Sequence, residues 1–362
     1  MEISNSSHRQ MEWLQALRAF AALAVLLFHT KDAFSQYPVI QKILGQGFFG
    51  VDVFFCLSGY IMCLSCSQKV PGVRNGLRFL LMRGARIYSG YWLALLLVLA
   101  VSATGLHPVT GDWFASIFLT SALFGDQFLE TAWTLVYELR FYLVIGLLYF
   151  FFSAKLSVRN ITIIATLIVL YNLAYYAFAF DTIMGGVWPL RSTLNGFFLE
   201  FTFGMYVYML NQKYPLQLEN CLFLIPAAIL LLAAGAFDLF FANFELLRAA
   251  TYGLASMLIL AIFIALENKP ELRPFAWLVK IGDASYSLYL IHPVLLTLLF
   301  TVLYHYLPVR YFYAFFVFGI VLIVLASWVW FKLLEKPVFQ WVSAFINAIL
   351  NSPRLEQKNA GS

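Results

Sequence analysis

The sequence predicts an all-α polytopic integral membrane protein of about ten transmembrane helices, with both termini in the cytoplasm. Three observations predict it. Of 362 residues, 62% are hydrophobic and only 11% are charged, against about 25% charged in a soluble domain. Apolar stretches close to the 20 residues that a spanning helix needs recur along the whole chain. The basic residues are distributed unevenly between the segments that join them. This composition excludes a soluble globular enzyme, a disordered chain and a nucleic-acid binder with a basic surface, because too few polar residues remain to cover a water-facing shell. Its natural partner is the lipid bilayer.

The expected spans are 13–30, 47–67, 88–106, 133–152, 160–180, 188–210, 221–241, 246–266, 282–304 and 311–334. The first stays apolar past Ala22-Leu23-Ala24 as far as Phe28, which argues against a cleaved signal peptide. The second opens on Gly47-Phe48-Phe49-Gly50, and the third follows a stretch, 68–87, with five cations and no acid. The fourth opens on Trp133. The seventh and eighth are almost uncharged, the ninth carries a polar stripe, and the tenth stops before Glu335-Lys336-Pro337. The stretch 112–124 is apolar but short and reads as a loop or an interfacial helix. With the N-terminus in the cytoplasm, sixteen of the 23 Lys and Arg residues fall on inner segments and five on outer ones, while Arg18 and Arg140 lie inside spans. That bias fits the positive-inside rule, and the outer loop 107–132 has no Lys or Arg. One transmembrane domain over 1–345 and a short polar cytoplasmic tail over 346–362 are expected, in the inner (plasma) membrane. Cys56, Cys63, Cys66 and Cys221 all lie in apolar stretches and read as inert thiols; no metal site is expected.

Ionisable groups at bilayer depth are costly and point to function. Arg18 and His29 are eleven residues apart, so at about 100° per residue they share one helix face, about 16.5 Å apart along the axis. Asp52, near the outer start of the second span, is expected at a depth similar to His29. Glu138 is expected near the outer end of the fourth span, with Thr134 one turn before it and Tyr142 one turn after. Each group alone is explained by snorkelling, capping or an interhelical hydrogen bond. A histidine and two acids at one depth are raw material for acid–base chemistry. Ser285, Tyr289 and His292 form a stripe on the ninth span that lines a cavity or joins helices. Glu200 sits mid-span on the sixth helix, below Arg191 and Asn195. Arg83 and Arg86, one turn apart, could chelate phosphates, although the positive-inside bias alone explains them.

Several blocks resemble one family. Leu17-Arg18-Ala19 followed by His29 resembles an Arg-x10-His signature. Phe49-Gly50-Val51-Asp52-Val53-Phe54-Phe55-Cys56-Leu57-Ser58-Gly59-Tyr60 resembles a Gly-Val-Asp…Phe-Phe…Ser-Gly block. Arg83-Gly84-Ala85-Arg86 resembles an Arg-x-x-Arg element, and Trp133-Thr134-Leu135…Glu138…Phe141-Tyr142 a Trp-Ser/Thr-Leu…Glu…Phe-Tyr block. Gly282…Ser285-Tyr286-Ser287-Leu288-Tyr289-Leu290…His292 and Glu335-Lys336-Pro337 complete the series. In this order, over about residues 12–340, they resemble the acyltransferase-3 family of integral membrane acyltransferases, and within it the exopolysaccharide (succinoglycan-type) O-acetyltransferases.

The resemblance implies transfer of an acyl group, most simply acetyl, from cytoplasmic acyl-CoA to a glycan hydroxyl. Acetyl-CoA would be a co-substrate, and no cofactor would be permanently bound. Arg18, Arg83 and Arg86 would hold the CoA phosphates. His29 would act as general base or carry the acyl group, with Asp52 or Glu138 fixing its tautomer. Ser58, Trp133, Tyr142, Arg191, Asn195, Tyr289, His292 and Glu335 would line the cavity or touch substrate, with Ser58-Gly59 serving close helix packing or thioester contact, and the acceptor would be a glycan. The rival function is a transporter or flippase, which also uses intramembrane His and carboxylates; no repeated halves of the transporter kind are visible.

Overall fold

A computed structural model describes residues 11–67, 72–120, 126–151, 158–177, 196–236, 244–306, 308 and 311–351. The helices are α1 (Glu12–Phe28), α2 (Pro38–Gly45), α3 (Phe49–Ser67), α4 (Val73–Ser102), α5 (Trp113–Phe118), α6 (Trp133–Phe151), α7 (Val158–Ala177) and α8 (Gly196–Lys213). They continue with α9 (Leu218–Cys221), α10 (Leu224–Ala236), α11 (Phe244–Arg248), α12 (Leu254–Glu267), α13 (Ala276–Asp283), α14 (Ser285–Tyr306), α15 (Phe312–Trp330) and α16 (Lys336–Leu350). No strand occurs among the described residues. The chain is an all-helical polytopic membrane protein. A helix stands at each of the expected spans, and six stretches among the described residues are long and apolar enough to cross a bilayer. The outside is correspondingly greasy: Phe20, Leu96, Leu167 and Leu230 are all exposed, which is tolerable only where lipid is the solvent.

The chain divides into two compact units, Met1–Ile61 with Leu199–Ser285, and Met62–Phe198 with Tyr286–Ser362. In the first, the start of α1 is fixed by the 267–272 segment. The Trp13 backbone N–H donates to the Glu267 carboxylate at 2.8 Å, and the Trp13 indole donates to the Leu272 carbonyl at 3.1 Å. A carboxylate there satisfies one of the orphan N–H groups of the first turn and complements the helix dipole. Two pairs of glycines set the packing. A Cβ on Gly47 would stand 2.1 Å from the Ala24 carbonyl oxygen and one on Gly50 2.3 Å from that of Ala21, so α1 and the start of α3 touch backbone to backbone in antiparallel register. Gly59 against Phe201 and Gly204 against Cys56 do the same for α3 and α8. Only glycine permits these approaches.

In the second unit the structure revises two expectations. The stretch 68–87 is not a loop beyond Val73: α4 runs 30 residues from there. Its arginines are satisfied along its length, Arg74 by the Leu350 carbonyl at 2.6 Å and Arg78 by the Asn347 side chain at 2.7 Å, both on α16. Residues 113–118 of the expected outer loop do not stay beyond the end of α4 either. The chain turns back, so that α5 lies beside the middle of α4. There Tyr91, Trp92 and Tyr88 donate to the Ser116, Ile117 and Phe118 carbonyls in turn. Those donors are ten to fourteen residues before Ser102, about 15–21 Å of helix rise. Non-helical backbone at depth survives only where protein groups satisfy it. Asp112 caps the other end of α5, its side chain accepting from the Ala115 N–H at 2.8 Å.

Candidate active site

In the first unit, His29 ends α1, half-buried, with Nδ1 2.9 Å from the Val25 carbonyl oxygen. A carbonyl only accepts, so Nδ1 carries the proton and Nε2 of the neutral ring holds the lone pair. The tautomer expected from Asp52 or Glu138 is thus set by the backbone one turn earlier. Arg18, on the same helix, donates through Nε to Ser285 Oγ at 3.1 Å.

Asp52 is elsewhere in depth. The register of Gly47 and Gly50 on α1 carries Asp52 past Ala21, roughly two turns or more inward of His29. There it is fully buried and meets Arg248, whose Nε and Nη2 donate to its two carboxylate oxygens at 2.9 Å each. The expectation that Asp52 shares a depth with His29 fails because α3 begins packing on α1 before Asp52 is reached. Ser58 is half-buried beside the Gly59 crossing. Glu200 is fully buried, its Cγ 3.0 Å from where a Cβ on Gly253 would stand.

In the second unit, Tyr142 OH donates to the Glu138 carboxylate. The face of the same ring receives the Arg83 guanidinium at 5.5 Å. Glu138 and Arg83, expected at opposite ends of their spans, are therefore one tyrosine apart. The cause is the re-entrant segment: it lets α6 start beside the middle of α4, so Tyr142 reaches Phe79 and Gly146 reaches Leu80. Arg83 is otherwise held by neutral groups, Ser65 Oγ at 3.0 Å and the Phe79 ring at 5.7 Å.

Arg86 and Glu335 come together. Arg86 Nη1 donates to Glu335 Oε1 at 2.9 Å, Ser287 donates to Oε2, and the Arg86 cation stands over the Tyr286 ring at 5.5 Å. Glu335 is fully buried and closes a π-helical turn, Phe331–Glu335. Tyr289 donates to the Thr131 carbonyl at 3.0 Å and meets Thr134 Oγ1 at 2.8 Å. His292 is fully buried with Nδ1 3.0 Å from the Leu288 carbonyl, so it too presents Nε2 as the lone-pair nitrogen. Trp133 is half-buried in a ring cluster with Tyr137 and Phe197. Arg191 and Asn195 lie outside the described residues. Among the described residues no group of three His, Cys, Asp or Glu side chains could hold a metal.

The partners that sequence reading missed are Arg248, Ser65, Ser287 and Thr131. Of these, Arg248 left a signal as a cation just inside an apolar run, and Ser287 as a member of the Gly282…His292 block.

Among curated proteins, the exopolysaccharide production protein ExoZ of Rhizobium meliloti (strain 1021) is 27% identical over 285 residues, 74% of this chain and 80% of that protein. The putative peptidoglycan O-acetyltransferase YrhL of Bacillus subtilis (strain 168) is 29% identical over 159 residues, 38% of this chain and 23% of that one. The peptidoglycan O-acetyltransferase OatA of Listeria monocytogenes serovar 1/2a is 26% identical over 159 residues, 38% of this chain and 24% of that one. The last two matches cover about a quarter of those proteins. No solved structure matches the chain. The profile of the acyltransferase domain matches residues 11–329, a span that takes in His29, Asp52, Arg83, Arg86, Glu138 and His292, and the chain belongs to the acyltransferase-3 family.

Proposed function

We propose that this membrane acyltransferase moves an acetyl group from acetyl-CoA to a hydroxyl of a surface or exported polysaccharide. The observation that carries the chemistry is the His29 ring, whose Nδ1 lies 2.9 Å from the Val25 carbonyl oxygen, a contact that calls for the proton on Nδ1 and the lone pair on Nε2. Nε2 takes the acceptor hydroxyl's proton as the oxygen attacks the thioester carbonyl. The carbon–sulfur bond breaks, and the departing thiolate takes that proton back from the imidazolium. The products are the ester and free CoA.

Donor binding falls to Arg83, because its present partners are a hydroxyl and ring faces, which a phosphate would outcompete. Arg18 contributes a second cation on the face that carries His29. Glu138, held by the Tyr142 hydroxyl, stands one ring from Arg83. Arg86 serves by holding Glu335. The acceptor class follows from the ExoZ likeness, which spans most of both chains. On the topology expected from the charge bias, with both termini cytoplasmic, the arginine-bearing start of α4 faces the donor pool.

The test is mass analysis of surface glycans from cells with the protein, without it, and with His29→Ala. An acetyl-sized mass present only with the intact protein is expected, and removal of the base should cut transfer about 10²–10⁴-fold. Near-normal acetylation with His29→Ala would reassign His29. Loss of the whole glycan without change in its decoration would instead favour a flippase.

A further inference from the structure

The Arg248–Asp52 pair takes no part in the reaction proposed above, yet it is connected to His29 by a series of contacts within the first unit. The fork of Arg248 on the Asp52 carboxylate, two bonds of 2.9 Å, fixes the plane of the guanidinium. Its carbon stands 4.8 Å from the centroid of the Phe48 ring. Phe48 meets Phe28 edge to face at 5.7 Å, and Phe28 meets the His29 ring at 5.0 Å and 88°.

The segment carrying Phe48 is pinned from two other sides. Gly47 lies on the α1 backbone, and Tyr252, one turn after Arg248, donates through its hydroxyl to Gln46 while its ring meets Phe48 at 4.8 Å. The backbone from Ala249 to Gly253 is a π-helical turn, a form that is rare and often found at functional sites. A further charge touches the series: the Lys31 ammonium stands 4.1 Å over Phe28 and is paired with Asp32 at 3.7 Å.

We propose that Arg248 is a positioning residue for His29, acting through the rings of Phe48 and Phe28, with Asp52 as the anchor that holds the guanidinium flat. The proposal rests on the reading of His29 as the base. Asp52 serves His29 here, but through Arg248 and two rings rather than by a direct hydrogen bond. The Val25 carbonyl sets which nitrogen is basic, and the ring series sets where that nitrogen points.

The experiment measures the rate of carbethoxylation of His29 by diethyl pyrocarbonate against pH, resolved by peptide mass spectrometry, on the purified full-length protein. The variants are Arg248→Lys, which keeps the charge but not the planar fork, and Phe48→Leu, which leaves the ion pair intact. His107, held by Thr297 at 3.1 Å in the other unit, is the internal control. In both variants the His29 rate should change about threefold or more and its pH midpoint should move, since only the neutral ring reacts, while the His107 curve stays in place. Acetyl transfer in the same preparations should lose about tenfold or more in kcat with little change in donor KM, the mark of a misplaced base. Should Arg248→Lys fail to fold, Phe48→Leu decides alone. A His29 curve that superimposes on the unaltered protein's in Phe48→Leu would overturn the proposal and leave the ion pair a stabilising contact only. Full acetyl transfer by His29→Ala would overturn the reading of His29 as base without touching the positioning result.

Discussion

Arg83 and Arg86 stand one turn apart on α4 yet have different partners, and single substitutions separate their roles. Arg86 neutralises a carboxylate with no exposure to solvent. Removing one member of a buried pair typically costs about 3–5 kcal/mol, because the other charge is left uncompensated. Arg86 itself is 29% exposed, so Arg86→Gln should destabilise by about 3 kcal/mol, the low end of that range. Arg83→Gln loses one bond to a hydroxyl and two ring contacts, which is worth about 1 kcal/mol net. Its effect should appear in binding: losing one charge-assisted phosphate contact, about 1.5–3 kcal/mol, raises donor KM about tenfold or more. Thermal unfolding in detergent and donor KM, measured on the same two variants, check both statements. Equal stability losses with neither KM altered would place both arginines in the scaffold and leave the donor site without its anchor.

At the level of elements, the apolar runs were legible because lipid imposes length and composition directly, and the shared face of Arg18 and His29 followed from helix geometry alone. What could not be read was direction. Residues 107–132 have the composition of an outer loop, and nothing in their hydropathy says that α5 turns back along α4. The signal is on α4 instead, where Tyr88, Tyr91 and Trp92 supply donors for three successive carbonyls. The depth of Asp52 relative to His29 and the nearness of Glu138 to Arg83 were hidden for the same reason, each depending on where a neighbouring helix begins. The partner of Asp52 lies 196 residues away, a separation that periodicity cannot bridge. The re-entrant arrangement has a measurable consequence. Ser116 is fully buried whereas Trp113 is exposed, so a cysteine at 116 should react with a water-soluble maleimide far more slowly than one at 113. Tyr91→Phe removes the donor to the Ser116 carbonyl, a bond worth about 1 kcal/mol, and should speed labelling at 116 about fivefold. Equal rates at 113 and 116 would return the segment to an ordinary surface loop.

For the molecule as a whole, the end of the chain raises a question of fit to the bilayer. The helical stretch Phe312–Leu350 has 39 residues, about 58 Å at 1.5 Å per residue, against a hydrocarbon core of about 30 Å. The excess is α16, which takes up the first residues of the segment expected to be a polar tail. Its two sides differ. Asn347 and the Leu350 carbonyl are held by Arg78 and Arg74 of α4. Trp341, Phe345 and Ile349, at intervals of four, are exposed at 72%, 58% and 49%, and the first two rings stack at 6.2 Å. An amphipathic helix with an aromatic stripe lies in the interfacial zone of a membrane with that stripe toward the acyl chains. The π-helical turn before it supplies the break at which the helix can leave the core. The two arginines then act as a clasp: they hold the polar side of α16 to α4 and so fix which side meets lipid. Nitroxide labels on protein in vesicles test this. A label at 345 should collide with oxygen more than with a water-soluble nickel chelate, and one at 347 should be shielded from both. With Arg74→Gln and Arg78→Gln together, each replacing a charge-assisted bond of about 1.5–3 kcal/mol by at best a neutral one, the label at 347 should gain access to the chelate. Easy access of the chelate to 345 in the unaltered protein would mean that α16 projects into water, and the clasp would then have no lipid-facing stripe to orient.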